Sequence, residues 1–172
     1  MCWLCDHPTA TIDDYLDVLR AKIDERGWAV QYVEDERRPF AYTIGLHERG
    51  LSEVMITGVT PGRVLLVLNT VASYCVKTAQ PRPGETMSLP DCLAVFVRVT
   101  RPEVYLAHAF NIYGPKVRAL QIVWNDPQGH SPWCPDFNDG RGGQPVLGIR
   151  PLPGPGGRGS GEALATAPTL VA

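Results

Sequence analysis

Apolar residues first recur at helical spacing at Ile12, Tyr15, Leu16, Leu19 and Ile23. Thr11 and Asp14 form a capping-box-like start to this run, and Gly27 stands where a C′ glycine closes a helix. The pattern predicts an amphipathic helix between them. After Gly27 the period shortens. Trp28 to Val33 and Phe40 to Gly45 read as two strands joined by an Asp35–Pro39 turn, and Val54 to Thr57 as a third, shorter strand. Thr60-Pro61 sets an N-cap ahead of a proline at the first helical position. Val64, Leu65, Leu68, Val71 and Ala72 then carry a buried stripe through a helix ending near Lys77. Gln80 to Pro90 is punctuated by Pro and Gly and reads as a loop. Cys92 to Val99 is apolar at nearly every position and reads as a central strand. Thr100 to Tyr113, with Pro102 early and Gly114 after its end, reads as a helix, and Val117 to Trp124 as the last strand.

The resulting order, α-β-β-β-α-β-α-β, places three strands in succession and so favours an α+β fold over a doubly wound sheet. The expected architecture is a single domain, with a mixed, mainly antiparallel sheet of about five strands packed by about three helices. Residues 1–150 are expected to form this domain. From Pro151 to Gly161 nearly every residue is Pro or Gly, a composition that cannot repay its ordering entropy, so 151–172 is expected to be a disordered tail.

Composition narrows the function classes. Net charge is −2 and the longest basic run, Arg37-Arg38, follows Glu34, Asp35 and Glu36. Such a chain has no global field to draw in nucleic acid or an anionic membrane, and neither is expected as a partner. No run approaches the roughly eighteen apolar residues of a membrane span. Five cysteines without a signal-peptide layout point to reduced thiols and a cytoplasmic location.

Several segments resemble one bacterial family. They are Gly27-Trp28, Phe40-Ala-Tyr-Thr-Ile-Gly-Leu46, Ser52-Glu53 leading into Val54-Met-Ile-Thr-Gly58, Tyr113-Gly114, Ala119-Leu-Gln-Ile-Val-Trp124 and Gln144-Pro-Val-Leu-Gly148. Together they touch most of residues 10–148, and the chain resembles the family known as domain of unknown function 4262. The resemblance implies no activity, cofactor or catalytic residue. The Cys2/Cys5/His7 opening resembles that of actinobacterial members.

That opening carries the strongest chemical signal in the residues themselves. Cys2-x-x-Cys5-x-His7 sets two thiolates on one tight turn, and His130 and Cys134 supply an H-x-x-x-C pair near the far end of the foldable region. A structural zinc takes four N or S ligands, commonly two from a Cys-x-x-Cys knuckle and two from a distant segment. Cys2 and Cys5 with either His7 and Cys134 or His130 and Cys134 would satisfy it. The competing reading is a mobile N-terminal arm that never meets the second pair. A thioredoxin-like role lacks the strand that must precede the first cysteine.

The other constellations are weaker. His47, after the Phe40–Gly45 strand, could serve as a general base oriented by Glu48 or Glu53, with Tyr42 and Thr43 offering hydroxyls. The plainer reading leaves His47 and Glu48 solvated in a turn, and no nucleophile stands beside the imidazole. His108 reads as a partly buried, hydrogen-bonded side chain, and Cys75 and Cys92 as small core residues. Gly140-Arg-Gly-Gly143 lacks the lysine and following helix of a phosphate loop. Trp124, Trp133 and Phe137 read as aromatic residues closing the core. Two functions follow. One is a non-enzymatic binding or interaction protein, with an unidentified protein or small-molecule partner and a zinc clip joining the N-terminal motif to the Cys134 region. The other is a small enzyme or cofactor binder, for flavin or nucleotide, using the Tyr42–His47 strand and loop.

Overall fold

The computed structural model describes residues 7–35 and 38–151. The expected tail at 151–172, all but its first residue, lies outside the described residues, as do Cys2 and Cys5. Helix α1 spans Ile12–Arg26, and strands β1 and β2 span Ala29–Val33 and Phe40–Ile44. A 3₁₀ turn at Leu46–Arg49 leads into β3, Glu53–Thr57, and helix α2 follows at Pro61–Lys77. Strands β4 (Thr86–Leu89) and β5 (Cys92–Arg98) form a hairpin. Helices α3 (Pro102–Tyr105) and α4 (Ala107–Tyr113), with a 3₁₀ turn at Gly114–Lys116, precede β6, Ala119–Trp124. The fold is α+β, as expected. None of the described helices is long and apolar enough to cross a membrane.

One six-stranded sheet runs in the order β1-β2-β3-β6-β5-β4. Every neighbouring pair is antiparallel except β3 and β6, which run parallel with Glu53 beside Ala119 and Ile56 beside Ile122. Side chains alternate between the two faces, so each face collects its own core. Val54, Ile56, Phe96, Leu120 and Ile122 meet Val64, Leu68, Val71, Ala72 and Cys75 of α2 on one side. Tyr42, Ile44, Met55 and Ala119 meet Leu16, Leu19 and Ile23 of α1, with Leu106 and Ala109, on the other. The capping box is present: the Asp14 amide donates to Thr11 Oγ1 at 3.2 Å, and the Thr11 amide to Asp14 Oδ2 at 2.7 Å. Gly27 ends α1 in the left-handed region at φ 87°, with its amide on the Ile23 carbonyl.

Four expectations are corrected. Gln80–Pro90 is not all loop: between Gly84 and Pro90, Thr86 and Ser88 point outward while Leu89 is buried, a strand's alternation carried on only four residues. The sheet therefore has six strands, not five. Thr100–Tyr113 is two short helices, because Leu106 is drawn fully into the core at φ −98° and ψ 50° and breaks the ladder there. Leu65 faces outward at 53% exposure, and Val67 and Cys75 take its place in the buried stripe of α2. Ile12, at 42%, is likewise exposed on α1.

After β6 the chain turns back, and residues 144–148 lie as a strap across the sheet. Gln144 Oε1 accepts from the Trp124 amide at 2.9 Å, and its Nε2 donates to the Trp124 carbonyl at 2.8 Å, so one side chain stands in for a strand partner. Buried Gln121 donates to the Pro145 carbonyl and accepts from the Leu147 amide, both at 2.7 Å. Gly148 pairs with Val99 so closely that an added Cβ would stand 2.0 Å from the Arg98 carbonyl oxygen. Gly148→Ala must therefore lift the strap; we expect a loss of about 1–3 kcal/mol in urea denaturation, the usual cost of forcing atoms into a packed contact.

Candidate metal centre

The loop beyond β6 is built around one carboxylate. Asp126 is 3% exposed. Its Oδ1 accepts from the amides of Gln128 (3.0 Å) and His130 (2.7 Å), and its Oδ2 from the Asn138 amide (2.9 Å) and His130 Nδ1 (3.2 Å). Such a carboxylate folds the chain back on itself in the manner of an Asx turn, here extended to a second segment twelve residues on. Burial pushes its pKa up, but the donated hydrogen bonds from Asn138 and His130 outweigh this and hold it below the ordinary value. Phe137, 2% exposed, anchors the same loop with its ring centroid 5.3 Å from that of Trp124. These two aromatics close the core as expected. Trp133 instead carries the Arg150 guanidinium 5.2 Å above its ring.

Within this loop, His130, Cys134 and Asp136 bring ligand atoms within 4.8 Å of one another. Cys134 Sγ lies 3.9 Å from Asp136 Oδ2. With Nδ1–H donated to Asp126, the lone pair of His130 falls on Nε2, and a buried carboxylate behind a histidine is the arrangement that fixes tautomer and ring orientation at metal sites. Imidazole, thiolate and carboxylate together suit a borderline cation such as zinc. Tetrahedral ligand atoms around zinc stand about 3.5 Å apart, so the group needs a closure of about an ångström, within reach of exposed Asp136. Among the described residues it is the one group of this kind.

Of the residues singled out in the sequence, His130 and Cys134 thus come together. Cys2 and Cys5 fall outside the described residues. His7, exposed where the described chain starts, does not belong to the group. Asp136 was not foreseen; its signal was its place two residues after Cys134, and structural zinc is more often held by Cys and His than by a carboxylate.

The second candidate resolves into a structural knot. Glu53, fully buried at the start of β3, accepts from Thr43 Oγ1 (2.7 Å) and from the amides of Gly45 (2.9 Å) and His47 (3.0 Å). It therefore holds the backbone of His47 and does not orient the imidazole. Thr43 Oγ1 also accepts from the Val54 amide, so its hydroxyl is committed. Gly45 sits at φ 127°, and an added Cβ would lie 2.9 Å from the Gly27 carbonyl oxygen. His47 is half-buried, not solvated in a turn: its ring centroid is 5.1 Å from that of Tyr113, and its Nδ1 is buried without a partner. Tyr113 donates to Glu48 at 2.7 Å. The Tyr42 hydroxyl accepts from the His108 amide at 3.3 Å, and burial pushes its pKa up. His108 packs edge-on to Tyr15; its Nδ1 too is buried without a partner, and burial lowers its pKa. Cys75 is a core residue whose pKa burial pushes up to about 11, while Cys92 is half-buried at the start of β5, opposite Leu89.

Fold and loop together define a small α+β domain with a His/Cys/Asp group suited to a cation. The chain matches the family described as Domain of unknown function (DUF4262) over residues 22–138, and it belongs to that family. The match runs from α1 through the loop of Asp126 and ends before the strap. No curated protein and no solved structure matches it.

Burial pushes the Glu53 carboxyl up to about 6 from an ordinary 4.5, against the pull of its hydrogen bonds from Thr43, His47 and Gly45. A carboxyl raised on folding stabilises the fold most below 4.5 and loses that contribution as pH rises through 6. The difference is about 2 kcal/mol. Glu53→Gln keeps an acceptor for both amides; urea midpoints on either side of this window should lose the dependence and show a variant at least as stable at neutral pH. Glu53→Ala strands the two buried amides and should cost about 3 kcal/mol.

Proposed function

We propose that this protein is a cytoplasmic, non-enzymatic binding protein whose loop of Asp126 holds a structural zinc ion. His130, Cys134 and Asp136 supply three ligands, and one thiolate of the Cys2-x-x-Cys5 knuckle, that of Cys5, supplies the fourth, clipping the N-terminus to the far end of the domain. The observation that carries this reading is the convergence of three ligand atoms of different chemistry beside a buried carboxylate that sets the histidine tautomer. A clip across so long a stretch of chain restricts the unfolded state appreciably. The hydroxyls of Tyr42 and Thr43 and the carboxylate of Glu53 are committed to internal hydrogen bonds, which weighs against a catalytic Tyr42–His47 strand.

Metal analysis of the freshly purified, untagged protein tests it. The expected result is about one equivalent of zinc, abolished in Cys134→Ser and with Cys134 shielded from thiol titration. Asp126→Asn should weaken zinc binding roughly 10- to 100-fold, because the residue behind the histidine and not a ligand is changed. Cys5→Ser should lower the melting temperature of the zinc-loaded protein only if the clip forms. Protein that takes up no zinc, or a Cys134→Ser variant that retains it, overturns the reading.

A further inference from the structure

A second feature lies away from the metal loop. Three neighbouring clefts lie along the edge where β5, α3 and the strap meet. The first, about 700 Å³, is lined by Arg38, Thr100, Arg101 and Tyr105 over strap residues 143–149. The second, about 510 Å³, shares Thr100 and Ile149 with it and adds Arg98. The third, about 400 Å³, shares Arg98 and Val99 with the second and adds Arg82 and Arg118. Five arginines therefore line this row of neighbouring clefts in a chain of net charge −2, and none of the residues lining them is acidic.

The guanidiniums remain available. Among the described residues only the Arg101 guanidinium has a carboxylate within ion-pair distance, Glu103 at 3.4 Å from Nε, which leaves its two terminal nitrogens; Asp35 and Glu85 accept from the backbone amides of Arg38 and Arg82, and Arg118 spends one nitrogen on the Gly50 carbonyl. The floor is pre-organised, since the strap is held by Gln121, by Gln144 and by the Thr100 amide on the Leu147 carbonyl. Tyr105 is fixed against Phe40 with ring centroids 6.1 Å apart. Arginines held at separate points on a rigid floor match an anion with separated charges, and each planar fork can take two oxygens of one phosphate. A single nucleic-acid strand would need successive aromatic platforms for its bases, and Tyr105 alone lines the groove. The size of each cleft is that of a small-molecule site.

We propose that this groove binds a phosphorylated small molecule carrying at least two anionic groups. The full-length protein as purified is titrated with ATP, inorganic phosphate, adenosine and an oligouridylate while backbone amide shifts are followed, those of residues 126–138 reporting any response of the metal loop separately. ATP should move the amides of residues 98–101 and 146–149 saturably, inorganic phosphate more weakly, and adenosine not at all. Arg98→Gln and Arg101→Gln, both at exposed positions, should each weaken ATP roughly tenfold with melting temperature unchanged. Adenosine binding as well as ATP, an oligouridylate outbinding it, ATP binding that survives both substitutions, or no response of these amides to any probe would overturn the proposal.

Discussion

The parallel pairing of β3 with β6 is the constraint on which the rest of the molecule hangs. Each strand belongs to its own three-stranded antiparallel half, and only this seam turns the two halves into one sheet. Being parallel, it brings the carboxyl ends of both strands to the same edge. Thr57 and Trp124 therefore meet there, with the indole N–H on the Thr57 carbonyl at 3.1 Å. The loop of Asp126 and the strap of Gln144 both spring from that edge, the side of a parallel pair where ligand sites commonly gather. Glu53 and its turn occupy the opposite end of the seam.

Two buried carboxylates at those two ends show how environment sets the behaviour of one functional group. Asp126 collects three backbone amides and an imidazole, enough to keep its charge below the ordinary pKa despite burial. Glu53 is likewise held by backbone amides and the Thr43 hydroxyl but is fully buried in the sheet, and there desolvation wins. The first is suited to stand permanently behind a cation ligand. The second is a tie that sits near its own titration.

Local signals in the sequence were legible where local forces decide. The Thr11/Asp14 box, Gly27 and the Thr60-Pro61 start marked helix ends, because caps are short-range chemistry; Thr60 nonetheless makes no side-chain cap bond. The hairpin at Thr86–Leu89 and the break at Leu106 escaped notice, since one rests on four residues and the other on a side chain pulled inward by partners far along the chain. His130 and Cys134 stood out by spacing, whereas Asp136 and the role of Asp126 did not. Aspartate is common in loops, and only folding shows which one lies beneath the loop. The arginine groove was invisible for a related reason: its five residues are scattered from Arg38 to Arg118, and each looks like an ordinary surface charge.

The strap gives the molecule two layers of cooperativity. Within the ladder, Ile122 is paired with both β3 and β5 and Val123 with β5, and exposing their amides to solvent requires the sheet to come apart. The Trp124 amide is different, for its acceptor is the side chain of Gln144 and not a neighbouring strand. Rotation of that one amide side chain, with the strap peeling from Gln121, frees it while the ladder stays intact. The end of β6 is thus a local opening unit of its own, with a smaller free energy than the global transition. Hydrogen exchange along a single strand would step from whole-domain unfolding to loop breathing between Val123 and Trp124.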